Sequence, residues 1–413
     1  MKGSLRPAVY IDRMARLSAL AVLLNDEPLI AIDTESNSMH AYRERICLVQ
    51  ISTREHDYII DPLMLDNLDP LGSVLANPAI EKVFHAAEYD LLCLRRDYGF
   101  EINTVFDTMI AARICGYKNV GLNHLLKQHL DIQLDKSHQR DNWGERPLPE
   151  DSLHYAQMDT HYLPTLRDIL SDELRASGHA DEALEIFEEI ATDTRAHEGR
   201  NFDPEGYWNI ALPNQVFGAP AAVLREVYLL REQIAEAMDR PPFRAISNAG
   251  LLALAQQMPA SMRKLSEIPD LPYSIVRRYG DDILQAVQRG RAAEAPSPPQ
   301  HRPPPAEISD LYIALHTWRK ERAAARGVES DVIIPKHTLW SLAYKLPDSH
   351  DELDNIRGLG PWRLRQYGDE ILGVVKQFKA EHNGYSVNNG EPDMQRLNGY
   401  RPRPSTNGNR SST

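Results

Sequence analysis

Short apolar runs interrupted by polar turns dominate residues 29–108. "LIAIDTE" (29–35), "RICLVQIS" (45–52) and "HDYIID" (56–61) follow one another closely. Each has the β-branched, aromatic-rich character of a strand, and connections this short make the three antiparallel neighbours. "KVFHA" (82–86) and "TVFDT" (104–108) add a fourth and a fifth strand, with the helical "EYDLLCLRRDYG" between them. Three antiparallel strands followed by alternating helix and strand predict an α/β domain, a mixed sheet with helices on its faces. Ahead of them, "LSALAVLL" (17–24) follows Arg13 and Arg16 but runs through "NDEP" into the first strand with no small-residue cleavage site. It reads as a buried first helix rather than a signal peptide. Beyond the strands the period lengthens to that of helices. There "DEALEIFEEIATD" (181–193) reads as the solvated face of a connecting helix.

The second half repeats itself. "VRRYGDDIL" (276–284) returns as "LRQYGDEIL" (364–372), and at the same 88-residue offset "LLREQ" (229–233) meets "TWRKE" (317–321) and Pro259 meets Pro347. Each unit opens on a long amphipathic helix followed by shorter ones, so these are two copies of one small all-α domain. Over about 75 residues apiece both resemble the helicase-and-RNase-D C-terminal (HRDC) domain, a nucleic-acid-binding module. The second copy carries "GLG" (358–360) where the first has "DLP" (270–272). Glycines there let backbone amides approach a phosphate, which leaves the first copy as the weaker binder or as purely structural. "RAAEAPSPPQHRPPPA" (291–306), with six prolines, reads as an extended spacer, and the Asn-, Gly-, Ser- and Pro-rich end of the chain as a disordered tail. The expected organisation is a catalytic domain with connecting helices over 1–212, helical domains over 213–290 and 307–380, the spacer at 291–306 and the tail over 381–413.

The chain has 413 residues, more than one hydrophobic core usually serves. No run approaches the ~18 apolar residues of a membrane span. Cys47, Cys93 and Cys115 are widely spaced and odd in number, which suits reduced thiols in a cytoplasmic protein. The net charge of −13 argues at first against a nucleic-acid partner. Its distribution alters that, because residues 1–214 hold 20 Lys+Arg against 36 Asp+Glu and residues 215–413 hold 26 against 23. The acidity lies in the front half, where a metal site can use some of it.

Asp33 and Glu35 stand two apart at the end of the most hydrophobic strand, and strand geometry sends both to one face. Converging carboxylates repel unless a cation sits between them, and hard oxygen ligands suit Mg²⁺ or Mn²⁺. Asp90 follows the fourth strand where the chain turns into a helix, and Asp159 lies in the helical "YAQMDTHYLPTL". Taken singly, each reads as surface charge.

In order they resemble something more specific. A strand-borne D-x-E, an Asp roughly 55 residues on at a strand-to-helix turn and Y-x-x-x-D on a late helix resemble the DEDD superfamily of 3′→5′ exonucleases, and within it the ribonuclease D group. The likeness runs through "AIDTES", "CLVQIS", "VFHAAEYDLLCLRRDYG", "FDTMIAARICG", "GLNHLLKQHLDIQLDKSHQRDNWGERPL" and "YAQMDTHYLPTL", and the two helical modules match the group's domain order. After the first motif, "SNSMHAYRERICLVQIS" departs from the bacterial pattern and leans toward the nuclear exosome's exonuclease.

The resemblance implies a ribonuclease-H-like fold and two-metal hydrolysis that trims RNA 3′ ends, tRNA precursors or other structured RNA, by a monomer. Asp33, Glu35 and Asp159 would hold the cation that activates water, and Asp33 with Asp90 the one that steadies the leaving oxygen, the two cations about 4 Å apart. Thr34, His85, Lys136, Gln139 and Arg146 become candidate substrate contacts. For Lys136, Gln139 and Arg146, together with Trp143, ordering of the loop beside the site is the alternative role. A DNA exonuclease of the Werner type and a non-catalytic nucleic-acid-binding scaffold are the rival functions.

"HYAQMD" (154–159) satisfies two spacings found among such enzymes, a tyrosine four residues before the last Asp and a histidine five before it. On a helix Tyr155 lies about 40° around from Asp159 and His154 about 140°, which by itself leaves both open. The ribonuclease D resemblance selects Tyr155. A phenol with a pKa near 10 is a poor base at neutral pH, so its expected role is to orient the attacking water.

Overall fold

Leu29–Ile32 is apolar on both sides of the strand, a pattern stable only where a sheet is covered on both faces. In the computed structural model, which describes residues 5–135, 137–193, 202–211, 215–298 and 303–382, this run opens β2 (Leu29–Ser36). Its first four residues are buried and its last four emerge. The other strands are β1 (Val9–Ile11), β3 (Ile46–Ser52), β4 (Asp57–Ile60), β5 (Glu81–Phe84) and β6 (Val105–Asp107), in the order β1-β4-β3-β2-β5-β6. β2, β3 and β4 are antiparallel, as their short connections demand, and β5 and β6 extend the sheet parallel to β2. The edge strand β1, three residues just ahead of the first helical run, went unread in the sequence.

Ile30 and Ile32 pack with α1 (Met14–Leu24), α2 (Asp69–Ala76) and α3 (Glu88–Tyr98). α1 contains the apolar 17–24 run, buried at Leu17, Leu20, Ala21 and Leu24. The opposite face receives α4 (Thr108–Ile114), α5 (Leu122–Leu130), α6 (Glu150–His161), α7 (Leu163–Ala176) and α8 (Ala180–Asp193), with Leu29 and Ala31 in that second core. α6 lies over β3 and β4, where Leu48 and Ile59 meet Ala156.

The second half forms two five-helix bundles. The first comprises α9 (Ala219–Ala237), α10 (Pro242–Ala245), α11 (Asn248–Gln257), α12 (Met262–Ser266) and α13 (Tyr273–Ala292). The second comprises α14 (Ala306–Arg326), α15 (Ser330–Ile333), α16 (Lys336–Lys345), α17 (His350–Leu353) and α18 (Pro361–Glu381). The 88-residue offset persists in atomic detail. Buried Arg231 and Arg319 donate to the carbonyls of Ile246 (3.4 Å) and Ile334 (2.9 Å). Met258 and Leu346 end α11 and α16 in the left-handed region, at φ 44° and 45°. Ser261 and Ser349 cap α12 and α17. Within the proline-rich stretch, residues 299–302 lie outside the described residues, as do residues 383–413 of the expected tail.

Each bundle docks on the α/β domain through charge. On the first, α9 and the turn after it offer carboxylates to the 37–45 loop. Tyr42 donates its hydroxyl to Glu232 (3.0 Å) and its amide to Asp239 (3.2 Å), and Arg43 pairs with Glu236 (3.2 Å). On the second, the polarity is mostly reversed, the Arg113–Asp331 pair (2.6 Å) keeping the first arrangement. Glu182, fully buried, receives both terminal nitrogens of Arg326 (2.7 and 2.5 Å), and Glu189 receives Arg363 (3.2 Å). Between them the Glu185 carboxylate accepts the backbone amides of Trp362 (2.5 Å) and Arg363 (3.4 Å) at the start of α18.

Two expectations are corrected here. The acidic run of α8 is not simply a solvated face, because Glu182, Glu185 and Glu189 share one helical side and grip the second bundle, leaving Asp181 and Glu188 exposed. The "GLG" turn lies against a carboxylate of the same chain, Glu185, which takes the amides of Trp362 and Arg363 just after it. Gly358 turns at φ 83°, and a Cβ on Gly360 would fall 2.2 Å from Cδ of Glu185. The glycines thus serve an intramolecular contact.

Candidate active site

Strand length builds the site. β5 pairs with β2 only as far as Ala31–Val83, while β3 follows β2 through Asp33–Gln50 and Glu35–Leu48 to its end. Residues 33–36 therefore overhang, with no β5 neighbour, and the first turn of α3 fills the gap. Asp90 accepts the backbone amide of Thr34 (3.1 Å) and its hydroxyl (2.5 Å), completing the position an absent strand residue would have taken. Asp33 and Glu35 point to the other face, toward α6. There a carboxylate oxygen of each lies within 4.8 Å of the others and of one from Asp159. Asp90 reaches this trio around the end of β5 and bears on Asp33 electrostatically.

Burial holds these acids above their ordinary range, reinforced at Asp33 and Glu35 by the charges of neighbouring carboxylates and partly offset at Asp90 and Asp159 by hydrogen bonds from Thr34 and Tyr155. Glu35 is pushed up to about 9, Asp90 and Asp159 to about 7, and Asp33, among the other three, is raised well above normal. None of the ion pairs among the described residues involves any of the four. Four crowded oxygen donors, without a paired cationic side chain among the described residues, fit hard divalent cations.

The raised values carry a stability consequence. Between the unfolded range near 4 and the folded values of about 7 to 9, the native state keeps protons that the unfolded chain has released. Metal-free protein should therefore lose thermal stability as pH rises across that window, and Mn²⁺ should restore it. Melting curves at pH 5, 7 and 9 with EDTA or Mn²⁺ check this. A metal-free midpoint that climbs with pH would contradict the cluster's charge balance.

Tyr155 and Asp159 share one side of α6, and the phenol faces the Asp159 carboxylate. Burial, with the charges of Asp159, Glu35 and Asp33, raises the phenol's pKa, so it stays protonated. Its ring sits 6.2 Å from Trp143 and 6.4 Å from His138, centroid to centroid. His154 is exposed.

Of the candidate substrate contacts, Thr34 is bound to Asp90. His85 turns Nδ1 to the Thr108 hydroxyl (2.9 Å), and burial lowers its pKa, which keeps the ring neutral. Gln139 is exposed. Lys136 lies outside the described residues. Arg146 spends its guanidinium on the Asp61 carboxylate (2.5 and 2.7 Å) and on the carbonyls of Cys47, Trp143 and Glu145. It orders the loop before α6. Asp141 adds to that order by joining His138 (2.8 Å) and Ser152 (2.6 Å).

One positioning residue escaped the sequence reading. Buried Asp107 accepts four backbone amides, those of Ala86 (3.1 Å), Ala87 (2.7 Å), Met109 (2.8 Å) and Ile110 (3.1 Å). It caps α4 and pins the turn that delivers Asp90, holding Ala86 at φ 66°. Its signal was an Asp ending a strand directly before a helical run.

Residues 8–175 match the 3′-5′ exonuclease family, and residues 221–287 and 309–375 each match the HRDC domain. The chain is 31% identical over 355 residues to the Exosome complex component 10 homolog of Caenorhabditis elegans, covering 85% of this chain but 39% of that protein. It is 28% identical over 387 residues to Ribonuclease D of Gluconacetobacter diazotrophicus, covering 90% of this chain and 94% of the relative. Its fold is that of the crystal structure of Escherichia coli RNase D, with a TM-score of 0.65 at 23% identity over 90% of this chain and 99% of that one.

Proposed function

Since the chain belongs to the 3′→5′ exonucleases that carry HRDC domains, as ribonuclease D does, we propose that it is an exoribonuclease removing nucleotides from RNA 3′ ends, tRNA precursors or other structured RNA among them. The observation that carries this reading is the convergence of Asp33, Glu35 and Asp159 oxygens within 4.8 Å of one another, with Tyr155 facing the last. Two divalent cations, Mg²⁺ or Mn²⁺, would activate a water and neutralise charge on the scissile phosphate and leaving oxygen. Asp33, Glu35 and Asp159 would hold one, and Asp33 with Asp90 the other. Tyr155, kept protonated, holds the attacking water in line by hydrogen bond. Asp107 and Thr34 keep Asp90 in place, and the Arg146–Asp61 pair keeps the loop over α6 ordered. The remaining His85 ring nitrogen accepts a hydroxyl of the terminal ribose.

Among the described residues no helix is long and apolar enough to cross a membrane. Cys47, Cys93 and Cys115 are unpaired, which suits a reducing cytoplasm, and we take the enzyme to act there as a monomer.

Matched 3′-overhang RNA and DNA oligonucleotides, digested side by side with Mg²⁺ or Mn²⁺, test the reading. Stepwise shortening of RNA from its 3′ end, faster than that of DNA and stopped by EDTA, is expected. Preferential digestion of DNA would move the enzyme to the Werner type. No digestion with either metal would leave a binding scaffold.

A further inference from the structure

Gln50 occupies the middle of β3 with its side chain fully buried, and neither its amide oxygen nor its amide nitrogen meets a partner. Among the described residues it is the one side chain left unpaired at two buried polar atoms. Such a group weakens the fold unless something engages it, and an apolar residue of similar shape would remove the penalty. An unengaged glutamine in the core of a sheet therefore points to a ligand or a reaction.

Its surroundings say which. Gln50 is the register partner of Asp33, and opposed residues of an antiparallel pair share a face with Cβ atoms about 4.5–5.5 Å apart. On that same face Leu48 packs in one cluster with Ala156 of α6, and the Ser52 hydroxyl lies 2.7 Å from that of Thr160. Gln50 thus lies between Leu48 and Ser52, under the part of α6 that carries Asp159, and beside Asp33. Asp33 has four lone-pair positions, more than cations on its inner side consume, and an amide N–H₂ is a fitting donor for one left over.

We propose that Gln50 is a positioning residue for the cation site, donating from its side-chain amide to the Asp33 carboxylate and fixing its orientation when divalent cations are bound. The inference rests on the reading of Asp33 as a cation ligand. Outer partners of metal ligands typically govern affinity by 10- to 100-fold, on the order of the effect expected here.

Gln50→Leu and Gln50→Met separate this role from plain packing. Each variant of the full chain is melted in EDTA, titrated with Mn²⁺ by calorimetry, and assayed for kcat and KM at several Mn²⁺ concentrations, with Asp33→Asn as control. Metal-free midpoints equal to or above wild type, Mn²⁺ affinity reduced about 10-fold or more, and kcat recovering at high Mn²⁺ with KM for RNA unchanged are the expected results. Mn²⁺ affinity within twofold of wild type in both variants, while Asp33→Asn abolishes it, would overturn the role of Gln50 and leave the site standing. Retention of Mn²⁺ affinity by Asp33→Asn would overturn the site itself. If both apolar variants melt well below wild type in EDTA, Gln50 is a structural residue and the proposal fails.

Discussion

Asp33→Asn should reduce hydrolysis by at least about 10³-fold, because cation stabilisation of the transition state is worth several kcal/mol and this carboxylate is the one both cations would share. The same substitution should stabilise the metal-free protein at neutral pH. Asp33 is crowded by Asp90, Asp159 and Glu35, and an amide removes the charge that burial and these neighbours disfavour. Loss of activity beside a gain in melting temperature is a signature that misfolding cannot produce. Asp159→Asn should behave alike. Single-turnover assays on a short 3′-labelled RNA, with melting curves in EDTA, measure both arms. Activity above a tenth of wild type in either variant would defeat two-metal hydrolysis through these residues.

Tyr155→Phe should lower the catalytic rate about 10²-fold, the lower end for a positioned acid–base group, with RNA affinity nearly unchanged. Its hydroxyl faces Asp159 while the ring is packed near Trp143 and His138, so the variant loses one oxygen and little packing. His154→Ala should cost less than about threefold, since the ring is exposed on another side of α6. Rates and RNA affinities measured for both variants decide the matter. A crippled His154→Ala beside an active Tyr155→Phe would assign the histidine instead.

Five of six strands were legible as short β-branched or aromatic runs bounded by turn residues, whereas Val9–Ile11, as short as Val105–Asp107 and leading almost directly into a helical run, was not. That Asp33 and Glu35 share a face followed from strand geometry. That Asp90 and Asp159 join them did not, since their spacing along the chain carries no distance in space, and only the ordered resemblance brought them together. Arg146 could be listed from its motif, but its partner Asp61 lies 85 positions away and no local pattern links them. The same limit hid the docking of α8. Its acidic run has the periodicity of a solvated face, and the bases that cover it, Arg326 and Arg363, come from a bundle more than a hundred residues later.

The largely opposite polarities of the two docks make the duplicated bundles non-interchangeable parts. At the 88-residue offset, the places of Glu232, Glu236 and Asp239 are taken in the other copy by Lys320, Ala324 and Gly327, and those of Arg326 and Arg363 by Met238 and Ile275. Exchanging the copies would set Lys320 against Tyr42 and leave buried Glu182 facing a methionine. Duplication preserved the bundle's internal framework, down to the Arg231 and Arg319 bonds, while each copy acquired a separate electrostatic address on the catalytic body. A chimera that permutes them would keep two well-formed bundles and lose both moorings.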